Sequence, residues 1–323
     1  MKFSAKSPFS VFDFQSDSPK ARNSGKSGNV AANLTPFSIA LKMEIVESIA
    51  GLKQIVRPWR NQGERIAIVP TMGALHDGHL SLVDTAKRCS DRVIATIFVN
   101  PTQFAPHEDL AKYPRTLDAD CALLADRGVD AVFCPTNELM YPAGFSTHVS
   151  PPHVARKLEG EFRPTHFQGV CTVVLKLLNL SEAALAVFGQ KDFQQVAVIK
   201  AMVRDLNHNC EIMVAPICRD PDGLAMSSRN RFLSPPERQT ALAIRRSLLL
   251  AAEQLRTRTK PLEAIQLEMQ ENLRHGGIHD IDYATIANPD TLEPATDTES
   301  TLVILIACRV GNTRLIDNEL ITL

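Results

Sequence analysis

The chain has 323 residues, of which 44% are hydrophobic and 22% charged, and its formal net charge is -1. This balance excludes the global basic field of a nucleic-acid-binding protein, and no apolar run reaches the roughly 18 residues of a membrane-spanning helix. Seven scattered cysteines without CxxC spacing argue against a disulfide framework or zinc site and predict buried, reduced thiols.

Residues 1–42 hold eight serines, five lysines, one arginine and two acids, without apolar periodicity. This composition predicts a disordered extension. A transit peptide is also serine-rich and acid-poor but favours arginine, and Arg22 stands alone. Every motif lies beyond Met43, so the extension is expected to be dispensable, as a start codon placed too far upstream would make it.

From Glu44 the pattern alternates. A helical segment over 44–60 precedes a strand at 65–70, and a helix at 79–89 precedes a strand at 92–99. A helix at 116–127, capped by Thr116 and stopped by Gly128, precedes a strand at 129–134. Segment 169–180 reads as helical. A strand at 184–188, a helix at 192–206 and a strand at 210–215 follow. The expected fold class is α/β: a doubly wound, Rossmann-like parallel sheet that binds a nucleotide beyond its strand ends. After Asp222-Gly223 the texture changes. Helices at 235–256 and 261–274 lead to strands at 281–287, 301–309 and 314–321, the last two joined by a turn at Gly311-Asn312. This predicts a smaller α+β domain with an antiparallel sheet, giving domains 43–217 and 218–323.

The richest stretch is Pro70-Thr71-Met72-Gly73-Ala74-Leu75-His76-Asp77-Gly78-His79. A strand, a glycine-containing turn and a helix start place backbone N–H groups where an anion binds. His76 and His79, at i and i+3, share one face of a helical first turn and can donate to phosphate or change charge near neutral pH. Five more stretches fall on the same sheet edge. Asn100-Pro101-Thr102-Gln103-Phe104 suits a small polar substrate. Gly189-Gln190-Lys191-Asp192 offers close approach, a point charge, and a helix cap or metal ligand. Met226-Ser227-Ser228-Arg229 sets two hydroxyls beside a guanidinium, which suits polyphosphate. Arg115 and Arg163 each suit a carboxylate or a structural ion pair, and His166 lies beside the second.

In this order and at these intervals, the motifs PTMGALHDGH, FVNPTQF, YPRT, FRPTHFQGV, FGQKDFQQ and DGLAMSSRN resemble the pantoate–β-alanine ligase family over residues 43–323. That family belongs to the HxGH nucleotidylyl-transferase superfamily. The resemblance implies a cytoplasmic, homodimeric enzyme using ATP and Mg²⁺ to adenylate pantoate, after which β-alanine displaces AMP. It implies catalytic roles for His76, the family's acid, and for His79, Lys191 and Arg229. It implies ATP contacts from Pro70 to His76, His79, Gly189 to Asp192, Cys218 and Met226 to Arg229. Gln103, Gln195 and Asn100 would contact pantoate and β-alanine, and Asp118 and Asp120 are the candidate metal ligands, with Asp120 preferred. Gln190 stands where many members have glutamate, and 181–187 lacks a Gln-Pro-Asp that often precedes this strand. Ala119 stands where some members place an acid. Two rivals stay open at this point: another nucleotidylyl-transferase of the superfamily, and a non-catalytic nucleotide-binding regulator.

Overall fold

A computed structural model describes residues 43–104, 110, 113–258 and 260–323. Expectations for residues 1–42 lie outside the described residues. Six strands form one sheet: β1 (Glu44–Val46), β2 (Ile66–Thr71), β3 (Arg92–Ile97), β4 (Ala131–Phe133), β5 (Leu185–Gly189) and β6 (Glu211–Ala215). All their pairings are parallel, in the order β1-β4-β3-β2-β5-β6. Parallel neighbours need crossovers, supplied by α1 (Ile49–Asn61), α2 (Asp77–Cys89), α3 (Leu117–Asp126), α4 (Asn137–Met140), α5 (Glu159–Phe162), α6 (His166–Ser181) and α7 (Phe193–Asp205). Helices cover both faces, so β2 must be apolar on both. Ile66 and Ile68 pack in one layer with Leu52 of α1 and Leu178 of α6, while Ala67 and Val69 pack in the other with Val83 of α2.

Strands β2, β3 and β4 follow one another toward one edge, and the chain then returns to place β5 on the other side of β2. The winding therefore reverses between β2 and β5. The helices leaving two adjacent strands there go to opposite faces and open a crevice at the strand carboxyl ends.

The last third forms α8 (Pro235–Thr257), α9 (Leu262–His275) and an antiparallel sheet of β7 (Asp280–Ala287), β8 (Thr301–Val310) and β9 (Thr313–Thr322). A capping box starts α8: Glu237 N donates to Ser234 Oγ, and Ser234 N donates to the Glu237 carboxylate. Val310 pairs with Thr313, so Gly311-Asn312 is a two-residue turn, with Gly311 at φ 55°. Ile244 and Leu248 of α8 and Leu273 of α9 pack against Ile304 and Ile306 of β8.

Two local expectations change. Residues 44–46 form an edge strand paired with Ala131–Phe133 instead of the start of a helix; Ser48 caps α1 only at Ile49, its Oγ accepting from Gly51 N at 3.0 Å. Thr116 occupies the N-cap position of α3 without capping it, and its hydroxyl donates to Asp120. Ser228–Phe232 forms a short 3₁₀ helix. All seven cysteines are free thiols, four of them buried.

Where the antiparallel sheet meets α5, three charges are buried together. Arg314 of β9 forks onto both oxygens of Glu159 at 2.7 and 2.6 Å and donates through Nε to Asp282 of β7 at 2.6 Å. Tyr283 donates its hydroxyl proton to Glu159 at 2.7 Å. The side chains of Arg314, Glu159 and Asp282 are 16%, 10% and 8% exposed. Removing the cation alone strands two buried carboxylates. Arg314→Met should therefore lower the unfolding free energy by about 3–5 kcal/mol, measured by urea denaturation. A loss below about 1 kcal/mol would be the value of a surface pair and would contradict this reading.

Candidate active site

β2 ends at Thr71 and the chain turns back through Gly73 (φ 82°) and Ala74 (φ 52°). The amides that follow this reversal point inward and need an acceptor. Asp120, 2% exposed, supplies it: Ala74 N and Leu75 N donate to its two oxygens at 2.9 and 2.8 Å, and Thr116 Oγ1 adds a third bond at 3.1 Å. The residue preferred as the metal ligand is thus committed to holding the turn. Among the described residues no cluster of three or more His, Cys, Asp or Glu side chains is arranged to hold a metal.

His76 is the N-cap of α2, with extended backbone, and His79 is the third residue of that helix. Gly78 N donates to His76 Nδ1 at 3.2 Å, and His76 N to His79 Nδ1 at 3.4 Å. The rings lie 4.1 Å apart. A side chain at Gly78 would put its Cβ 2.9 Å from the His76 ring, which explains the glycine of the motif. Burial, and next the charge of Lys191, pull His76 below the ordinary imidazole range. Burial, then His76, bring His79 down to about 3. Both effects favour the neutral rings, most strongly at His79. With each Nδ1 accepting a backbone proton, each carries its own proton on Nε2 and acts as a neutral donor.

The Gln103 turn is wedged against α6. A Cβ at Gly169 would fall 2.3 Å from Thr102 O and 2.7 Å from Gln103 N, so only glycine allows this approach. Asn100, 1% exposed, bonds inward to Thr102, Tyr141, Gln103 and Gly169. Its side chain shapes the turn and lies in the wall of the cleft. Gln103 Nε2 reaches Met72 Sδ at 3.0 Å, tying this turn to the one after β2. The Gln103 carbonyl accepts from His166 Nδ1 at 2.9 Å and from the Arg163 guanidinium at 3.3 Å. Arg163 and His166 therefore hold the turn from α6 and its approach.

After β5, Gln190–Asp192 form a 3₁₀ turn into α7. Lys191 faces the cleft with its side chain 18% exposed, and Asp192 lies at the N-cap without a side-chain capping bond, 4.0 Å from the Lys191 ammonium. Gln194, 4% exposed, is structural: it bonds to Glu159 N, Val154 O and Lys157 O. Across the crevice, Met226 N donates to Cys218 O at 3.0 Å and Arg229 N to Ser227 Oγ at 3.2 Å. One cleft brings together Pro70, Thr71, Met72, His76, His79, Asn100, Gln103, Gly189, Lys191, Asp192, Gln195, Cys218 and Met226–Arg229. Gly73, Ala74, Leu75 and Gln190 support the cleft from outside its lining, as does Asp120. Arg115 lines a separate depression behind Met72 and Gly73.

The family model for pantoate–β-alanine ligase matches residues 44–320. The chain belongs to the pantoate–β-alanine ligase family. It is 46% identical over 279 residues to the pantothenate synthetase of Acetivibrio thermocellus, covering 86% of this chain and 99% of the relative. The crystal structure of pantothenate synthetase from Thermus thermophilus superposes with a TM-score of 0.81 at 42% identity, over 86% of this chain and 99% of that one. The Francisella tularensis ligase, solved with β-γ ATP and β-alanine, superposes at 0.71 with 36% identity, over 86% and 97%.

As a member of this family of C–N bond-forming ligases, the chain has features that its sequence motifs did not reveal. The apolar wall of Val170, Val173 and Val174 on α6, with Phe98, lines the cleft; helical spacing alone reads as core. The histidine geometry carries a pH signature. Unfolded imidazole titrates near 6.5 and folded His79 near 3. Its stabilising contribution is complete above pH 6.5 and is lost as pH falls toward 3, because the unfolded chain then binds the proton first. The melting temperature should drop more between about pH 7 and pH 5 in the wild type than in His79→Gln. Equal drops would contradict a neutral buried His79.

Proposed function

We propose that the cleft binds ATP and pantoate, forms a pantoyl-adenylate and transfers the pantoyl group to β-alanine. The observation that carries this reading is convergence. The His76/His79 donors, Lys191 and the Met226–Arg229 segment face one crevice at the carboxyl ends of β2 and β5, with Gln103 and Gln195 beside them. ATP binding draws support from the Francisella tularensis ligase solved with β-γ ATP and β-alanine.

In the first step a pantoate carboxylate oxygen attacks the α-phosphorus, the bond to the β-phosphate oxygen breaks, and pyrophosphate leaves. Negative charge grows on the leaving group. Lys191, Arg229 and the neutral Nε2–H donors of His76 and His79 stabilise it there, where they act most strongly in the transition state. Ser227 and Ser228 add neutral donors as Met226–Arg229, in the smaller C-terminal domain, closes over the triphosphate. Gln103 and Gln195 orient pantoate, whose dimethyl carbon suits the wall of Val170, Val173 and Val174. In the second step the free amine of β-alanine attacks the carbonyl carbon, loses a proton, and AMP departs. Orientation and exclusion of water are the main demands on this step.

Among the described residues no cluster of three or more His, Cys, Asp or Glu is arranged to hold a metal, and the Asp120 carboxylate accepts from two amides. Mg²⁺ in this reading arrives on the nucleotide, held by phosphates and water. The reading extends to a cytoplasmic homodimer, as the family resemblance implies; no helix among the described residues is long and apolar enough to cross a membrane.

Lys191→Ala and His76→Ala should slow pantoate-dependent ATP–pyrophosphate exchange by ~10²–10³. Pantothenate formation from supplied pantoyl-adenylate should slow far less. Equal slowing of both half-reactions would contradict the division of labour.

A further inference from the structure

The middle of β9 passes behind both phosphate-facing segments. Asn318 is 1% exposed. Its Nδ2 donates to the carbonyls of Gln190 at 3.0 Å and Lys191 at 2.9 Å, and its Oδ1 accepts from Gln190 Nε2 at 3.1 Å. Asp317, 4% exposed, accepts two bonds from the Arg219 guanidinium at 2.7 and 3.0 Å, and its Oδ1 accepts from Asn318 N at 2.8 Å. Arg219 also donates to Gly223 O at 3.2 Å and forms a β-bridge with Ala225, the residue before Met226. One dipeptide therefore grips the Gln190–Lys191 turn with one side chain and the approach to Met226–Arg229 with the other.

The chemistry at 318 is narrow. The two carbonyls need two donors, and the Gln190 amide needs an acceptor; a primary amide supplies this set and a carboxylate does not. A 3₁₀ turn of three residues cannot satisfy its own carbonyls, so without Asn318 the main chain carrying Lys191 has reason to move.

We infer that Asp317 and Asn318 are positioning residues for adenylation, fixing Lys191 and the Met226–Arg229 segment relative to each other from the antiparallel sheet. They act through those segments without touching substrate. The inference rests on Lys191 facing the ATP phosphates, as proposed above.

The test measures both half-reactions in Asn318→Asp, with Lys191→Ala and the double variant in parallel. Asn318→Asp should slow pantoate-dependent ATP–pyrophosphate exchange by roughly 10- to 100-fold and leave pantothenate formation from supplied adenylate near the wild-type rate. In the Lys191→Ala background the same substitution should add little, because its target is gone. Equal slowing of both half-reactions, unchanged exchange, or full additivity with Lys191→Ala would overturn the inference. Should Asn318→Asp not fold, Asp317→Asn is measured for the same selective loss of exchange, and its absence overturns the inference equally. If Lys191→Ala itself leaves exchange intact, the phosphate role of Lys191 fails. If Lys191→Ala loses exchange and Asn318→Asp does not, the positioning role alone fails.

Discussion

Two successive left-handed residues, Gly73 and Ala74, swing β2 back toward α2, and the amides that follow the reversal point into the protein. Asp120 meets them with a carboxylate 2% exposed. A buried amide without an acceptor costs roughly 1–3 kcal/mol, and a non-glycine residue held at positive φ costs of the same order. One side chain from α3 offsets both. The orientation of His76 as N-cap, the placement of the tilted His79 ring beside it and the position of Met72 beside Gln103 follow from that turn. Three hydrogen bonds tie this carboxylate to the scaffold of the turn.

The crevice itself follows from topology. Adjacent parallel strands wound in opposite directions leave their carboxyl ends uncovered, and β2 and β5 each end there in a turn that opens a helix. The Met226–Arg229 segment supplies the third side, and the antiparallel sheet packs behind it. That sheet is joined to the parallel part by polar contacts between buried groups: Arg314 with Glu159, and Asn318 with Gln190 and Lys191. Such contacts fix geometry sharply because they fail if displaced. They suit an interface that must hold donors in register around a charged ligand.

Much of this was legible from residue order. Alternating apolar runs and helical periods revealed the parallel sheet, and the Gly311-Asn312 turn revealed the last hairpin. The cleft motifs were legible because their glycines and polar residues interrupt apolar runs at strand ends. The edge strand Glu44–Val46 was not, since three residues are too few to establish a period and the next segment is helical. The structural bonds of Asp120, Asn318 and Arg314 were not legible, because their partners lie far away in sequence. Asp120 bonds to residues 46 and 45 positions away, and Asn318 to residues 128 and 127 away. The neutrality of His76 and His79 likewise depends on burial that no local pattern encodes.

In the proposed reaction a pantoate oxygen attacks the α-phosphorus of ATP in this cleft. The most direct measurement supplies pantoate labelled with ¹⁸O in its carboxylate, together with ATP and β-alanine, and determines the mass of the products. Attack at the α-phosphorus leaves one labelled oxygen in AMP and none in pyrophosphate. Label in inorganic phosphate released with ADP, or AMP free of label, would contradict it.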